Sequence, residues 1–256
     1  MGVRASLFKF ALHLNRAAIC GVMRTVNRTA HGCVSPVAVA FLFCLLAAGT
    51  ARATLCTWKG GTGDWFDGAN WTNGVPNAGD DVIINAGVVF LTNDTFQLQS
   101  FTLNGGGLIF SNWLTRLQAT QVAINGGSAT AYRAFTTAEP SNRVHIACST
   151  IFIASGGRIN VNAKGFDGRS NNTGYGPGGG SSRGGGGYGG RGGGNGGGNT
   201  YGSAEAPEEP GSGGGGYTTP SAGKKGGGAV RIEAPGGAVT VNGAITADGE
   251  NAVNYS

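Results

Sequence analysis

The chain has 256 residues, 51 of them glycine, and a formal net charge of +5, a balance that by itself would suit a nucleic-acid or membrane surface. Its distribution removes that reading. Six of the 18 basic residues (Arg4, Lys9, Arg16, Arg24, Arg28 and Arg52) precede position 54, where no acid occurs, leaving 12 basic against 13 acidic residues and a net of about −1 beyond it.

Residues 1–53 read as an export leader with a helical apolar centre. Val37 to Gly49 is an apolar run of 13 residues, short of the ~20 that span a bilayer. Scattered arginines precede it and Ala51-Arg52-Ala53 follows, the small-x-small pattern of a signal-peptidase site. Cleavage is expected between Ala53 and Thr54. Met23 offers a later start that leaves Arg24 and Arg28 as the positive segment, and a membrane anchor or buried helix is the competing reading. Cys20, Cys33 and Cys44 leave with the leader; Cys56 and Cys148 remain, able to form one disulfide in an oxidising compartment or to stay as two thiols.

Beyond the leader the apolar residues fall in short β-branched or aromatic runs: Val82-Ile83-Ile84, Val88 to Leu91, Phe101-Thr102-Leu103, Leu108-Ile109-Phe110, Val122-Ala123-Ile124, Val144-His145-Ile146 and Ile151-Phe152-Ile153. Gly, Asn and Ser bound them and no helical period runs through them, so many short strands are predicted. Turn pairs at Ala86-Gly87, Gly105-Gly106 and Gly126-Gly127 lie about 19 and 21 residues apart, which suits one repeat of a β-solenoid. A plain β-sandwich is the alternative. The expected organisation is the leader over 1–53, a Trp-rich cap and β repeats over 54–173, a glycine-rich insertion over 174–228 and a last β repeat over 229–256.

Within the insertion, 27 of 55 residues are glycine, with Tyr175, Tyr188, Tyr201 and Tyr217 spaced through it. Such a composition buries too little apolar surface to offset the entropy of ordering it, which predicts a flexible surface loop. Closely packed, polyproline-II-like strands are the alternative. Arg183 to Gly193 resembles the RGG segments of RNA-binding proteins. Its two arginines share the tract with Glu205, Glu208 and Glu209, and the leader directs the chain away from RNA, so no nucleic-acid partner is expected.

Two copies of a turn-then-strand pattern flank the insertion, Ser155-Gly156-Gly157-Arg158-Ile159-Asn160-Val161-Asn162 and Pro235-Gly236-Gly237-Ala238-Val239-Thr240-Val241-Asn242. Alignment matches Ile159 and Val161 with Val239 and Val241 as inward side chains. It also superposes Asn162 on Asn242, as an amide ladder, and places Asp167 with Asp248 after the two strands. Stacked at about 5 Å, two such carboxylates would repel unless a cation lay between them, which makes them a weak candidate Ca²⁺ site; two solvated turn aspartates are the plainer expectation.

Trp58-Lys59-Gly60-Gly61-Thr62-Gly63-Asp64-Trp65, then Asn70-Trp71, Gly74-Val75-Pro76 and Asp80-Asp81-Val82-Ile83-Ile84 resemble the amino-terminal segment of large secreted, autotransporter-type β-helix proteins of bacteria. Gly226 to Ile232 and Val241 to Gly249 look like the glycine-rich coils of adhesin-like surface proteins. The resemblance implies a short right-handed parallel β-helix displayed outside the cell, either the amino-terminal portion of a longer chain or a small stand-alone relative, that serves adhesion or a surface layer. Trp58, Trp65 and Trp71 are expected to plug the open end of the first repeat, or alternatively to stack against sugars.

No catalytic constellation stands out. His145 sits alone on an alternating strand, and enzymes that use this scaffold need paired carboxylates or a calcium cluster with a basic partner. The expected function is an exported, non-catalytic structural or adhesin-like protein with no cofactor. Its expected partner is an extracellular polysaccharide or another surface protein, and it meets the membrane only through export. A polysaccharide lyase or hydrolase and a glycine-rich wall or matrix protein are the rivals.

Overall fold

A computed structural model describes residues 53–136, 139–217 and 222–251; the leader and the alternative start at Met23 lie outside them. The described chain is all-β apart from one short 3₁₀ turn, Gly68–Asn70. Its strands are β1 (Leu55–Thr57), β2 (Thr62–Asp64), β3 (Asp81–Ile84), β4 (Val88–Leu91), β5 (Leu98–Leu103), β6 (Gly107–Phe110), β7 (Leu117–Ala131), β8 (Val144–Asn160), β9 (Val230–Glu233), β10 (Val239–Val241) and β11 (Ala244–Thr246). They join in one curled sheet in which every strand pairing is parallel.

Odd and even strands form two runs that meet in the long β7 and β8. One run goes β1-β3-β5-β7 and the other β2-β4-β6-β7, while the first half of β8 carries β9 and β10 and its second half carries β11. Because side chains alternate along a strand, in-register pairing stacks apolar residues in columns. Val82, Phe101, Val122 and Ile151 form one, Ile84, Leu103, Ile124 and Ile153 a second, and Val89, Leu108, Ala129 and Ile159 a third. All are buried in a single core.

The corner between the two runs is set by glycine. Gly87, Gly106 and Gly127 all have φ between 71° and 88°, where a side chain is strained. A Cβ on Gly106 would also lie 2.2 Å from the Gly87 carbonyl oxygen. Beside them an amide ladder does form, at residues other than the pair aligned from sequence: Asn104 donates to Asn85 (2.8 Å) and Asn125 to Asn104 (2.9 Å). It stops there because β8 carries one extra residue at this corner, pairing Ile153 with Ile124 but Gly156 with Gly126.

The aligned register is corrected by the structure. Val239–Val241 lies against Ile151–Ile153, and Ala244–Thr246 lies against Arg158–Asn160, so the two copies of the pattern occupy different strand positions of their repeats. Asn242 therefore binds through its N–H to the Ile153 carbonyl, while the Asn162 side chain accepts from the Asp248 N–H at 2.8 Å. Both copies satisfy a period-two alternation after a turn, which is why alignment could not choose between the positions.

The expected flexible loop is also corrected. Among its described residues the glycine tract contains no strand or helix, yet its segments lie side by side, joined by backbone hydrogen bonds. Around Pro210 to Tyr217, Phe166 and Arg169 donate to Gly211 and Gly214, which in turn donate to Gly227 and Lys224. On further sides Gly180 donates to Gly213 and Gly213 to Tyr175, while Ser212 and Gly215 donate to Gly187 and Gly184. Four neighbours surround this segment where a β-strand has two, and within several of these pairs partners recur at three-residue intervals. Three residues per turn is the geometry of polyproline II. The entropy argument failed because it counted only apolar burial; here backbone groups satisfy one another in several directions, at an approach only glycine allows.

Candidate functional site

On the outer face of the sheet, Ser100, Gln121 and Thr150 form one row and Thr102, Ala123, Phe152 and Thr240 the next. They border a hollow of about 240 Å³. A second, of about 660 Å³, lies beside it over Gln97, Ala147, Ser149 and Pro235. It arises because β9 pairs with Val144–Ala147 and β10 with Ile151–Ile153, leaving Cys148 to Thr150 without a paired strand residue on that side; Pro235, lacking an N–H, suits the bulging connection. Glu233 borders both this hollow and a third of about 380 Å³, shared with Arg143, Arg231 and Glu208. The three hollows follow one another along the outer side of β8, from Arg143 to Phe152, as an interrupted trough.

The far end of the trough is charged. Arg231 pairs with Glu233 at 2.6 Å, Arg116 with Asp94 at 2.7 Å, and the Arg143 guanidinium lies 4.6 Å from the Trp113 ring centroid. His145 is only 5% exposed. Arg143 lies 3.4 Å from its Nδ1 as donor, which places the ring proton on Nε2. That Nε2 lies 3.5 Å from the Glu233 carboxylate but makes no hydrogen bond. Burial first, and the Arg143 charge second, hold the His145 pKa below its ordinary value.

A depressed histidine pKa stabilises the fold above the unfolded-state value of about 6.5, and that contribution is lost as pH falls through the folded-state value. The melting temperature should therefore fall on acidification below about pH 6.5, and His145→Gln should flatten that dependence. An unchanged pH profile in the variant would assign the acid sensitivity elsewhere.

The residues singled out from sequence are dispersed. Trp58, Trp65 and Trp71 are buried beside the β1 and β2 edges, with ring centroids 5.0 and 4.8 Å apart in edge-to-face contacts, and Trp71 Nε1 donates to the Trp65 carbonyl. None offers an open face to a sugar. Asp167 caps its own turn by accepting from the Gly168 N–H, while Asp248 meets Asn162, so the aligned calcium pair does not assemble. No group of three His, Cys, Asp or Glu side chains suited to a metal occurs among the described residues.

The disulfide reading is corrected as well: Cys56 and Cys148 are buried free thiols. Cys56 belongs to the column of Val82, Phe101, Val122 and Ile151, so Cys148, on the strand of Ile151, is four strand spacings away. At ~4.8 Å each that is about 19 Å, far beyond the ~7 Å limit between bridged Cα atoms. Ala53 and Thr54, at the expected cleavage point, are exposed, and the Thr54 N–H is held by Asp80 at 3.0 Å.

Sequence reasoning missed Arg143, Arg231 and Glu233. Their signal was present, because Arg143-Val144-His145 and Arg231-Ile232-Glu233 each put two polar groups on one strand face. Within and beside the RGG-like tract, Arg183 stacks on Tyr217, Arg169 on Tyr175, and Tyr188 meets Tyr201 edge-to-face.

A model of the G8 domain matches residues 70–164, from the 3₁₀ turn through β8 and thus across the floor of the trough. No curated protein and no solved structure matches the chain. The G8 domain is an extracellular-type domain, which agrees with a secreted protein.

Proposed function

We propose that this is an exported, non-catalytic structural or adhesin-like protein of the autotransporter-type β-helix class, a short right-handed solenoid at the cell surface that holds an extracellular polysaccharide along its outer trough. The observation that carries this reading is the trough itself. Its central and near floor carries hydroxyl and amide side chains, Ser100, Thr102, Gln121, Thr150 and Thr240, around the half-exposed ring of Phe152. Parallel strands repeat such groups every ~4.8 Å in rows that cross the trough, and a polysaccharide lying along it meets these rows in turn, donors and acceptors beside an apolar ring. The G8 match and the leader-like amino terminus support an extracellular setting.

The test is binding of the purified protein to a panel of neutral and acidic polysaccharides by co-sedimentation and calorimetry. Phe152→Ala combined with Gln121→Ala should weaken retention at least tenfold, about 1.4 kcal/mol, with the melting profile unchanged. Failure to bind any member overturns the polysaccharide reading, and release of new reducing ends overturns the non-catalytic one.

A further inference from the structure

Asp80 is a buried carboxylate, 8% exposed, and its backbone is fixed immediately before β3. Its N–H donates to the Asn77 carbonyl, and its own carbonyl accepts from the Gln99 N–H. A charge in such a place is costly unless it is paired and hydrogen-bonded. Oδ2 accepts from the Asn77 N–H at 2.8 Å and faces the Cys56 thiol at 3.8 Å, while Oδ1 accepts from the Thr54 N–H at 3.0 Å. No ion pair to it from a lysine, arginine or histidine occurs among the described residues.

One of these donors differs from the rest. The Thr54 nitrogen belongs to the Ala53–Thr54 bond, which follows the small-x-small pattern Ala51-Arg52-Ala53. Thr54 is exposed and lies just before β1, yet its backbone is held on both sides, since its carbonyl accepts from the Asp81 N–H at 2.9 Å. Hydrolysis by a leader peptidase breaks the bond between the Ala53 carbonyl carbon and this nitrogen. The water oxygen stays on the new Ala53 carboxylate, and the two water protons go to the nitrogen, which becomes an ammonium group. That group is formed already in contact with Asp80, and a neutral hydrogen bond becomes a charge-assisted one.

We propose that Asp80 is the docking site of the α-amino group freed by leader cleavage at Thr54, which supplies the buried carboxylate with its counter-ion. The inference rests on the export part of the function proposed above and is independent of the trough. Before cleavage the site holds only an uncharged amide, so the ion pair is confined to the processed protein and ties its first strand to β3.

The test begins with export of the full-length chain from a bacterial host and mass spectrometry of the purified product. A first residue of Thr54 is expected; any other terminus, or an intact leader, overturns this inference together with the export reading. A second chain carries one extra alanine between Ala53 and Thr54, which keeps the Thr54 N–H on Asp80 but moves the ammonium one residue away. An α-amino group docked on a carboxylate stays protonated above its ordinary range of about 7.7–8.0. Its contribution to stability is complete below that range and is lost as pH rises through the raised folded-state value. Between about pH 7 and pH 10 the melting temperature of the Thr54 protein should therefore fall about 3 °C further than that of the extended chain, the loss expected for roughly tenfold tighter proton binding in a domain of this size. Cys56 faces the same carboxylate, with its thiol pushed up by burial and then by the Asp80 charge, and Asp81 follows it in β3; both are common to the two proteins and cancel in the comparison. Asp80→Asn, which keeps an acceptor without the charge, should abolish the extra fall. Equal pH dependence of the two chains, or an extra fall that survives Asp80→Asn, overturns the docking site and leaves the export reading standing.

Discussion

Replacing Gly213 by alanine should open the glycine array. Gly213 lies in the segment surrounded by four others, and a Cβ there would sit 1.9 Å from the Asp167 carbonyl oxygen and 2.4 Å from its carbon. Both obstructing atoms are backbone, so no rotamer change relieves the clash. We expect a loss of ~3 kcal/mol or more, at or above the top of the range for overpacking a close-packed site, confined to residues 163–228. Limited proteolysis with mass spectrometry should find new cuts within the tract while β3 to β8 stay protected. Gly193→Ala is the control: nothing lies within 4 Å of its Cβ position, and its stability should stay within ~0.5 kcal/mol of the parent. Equal behaviour of the two variants would show that the tract is the loop its composition suggests.

Trp65→Ala should be the most damaging change in the sheet itself. Trp65 is fully buried, meets the Trp71 ring edge-to-face at 4.8 Å and lies 6.2 Å from Phe101. Truncating a buried Trp costs ~3–5 kcal/mol, which in a domain of this size lowers the melting temperature by on the order of 10 °C. The substitution also removes the layer that seals the β1 and β2 edges, so light scattering should rise during unfolding as those edges become available for pairing. A melting temperature within a few degrees of the parent would mean that the tryptophan layer is peripheral to the core.

The two substitutions probe parts of the chain that were legible to different degrees. Strand locations could be read directly: Val82-Ile83-Ile84, Phe101-Thr102-Leu103 and Val122-Ala123-Ile124 each fall in a strand, because β-branched runs bounded by Gly and Asn carry their signal locally. The glycine pairs likewise marked the corners, since a positive φ is written as glycine wherever it recurs. Register was not legible. The pattern around Val239 fits either strand position, and choosing the wrong one displaced Asn242 and brought Asp167 and Asp248 together on paper only. The disulfide failed for the same reason, since no local feature of Cys56 or Cys148 reports how many strands separate them.

By itself, then, the sequence determined the all-β character, the positions of most strands, the glycine corners and the near-neutral charge beyond the basic first 53 residues. Each depends on a residue and its immediate neighbours. Only the tertiary structure decided which strands pair, that the charged groups of Arg143, His145, Arg231 and Glu233 gather at one end of a trough, and that the glycine tract is an ordered array. Those outcomes rest on long-range contacts. A backbone hydrogen bond between Gly211 and Gly227, or a buried histidine beside a carboxylate 88 positions away in the chain, leaves no mark in local composition, because what it requires of each residue is only that it be small, or polar, in a place the fold alone supplies.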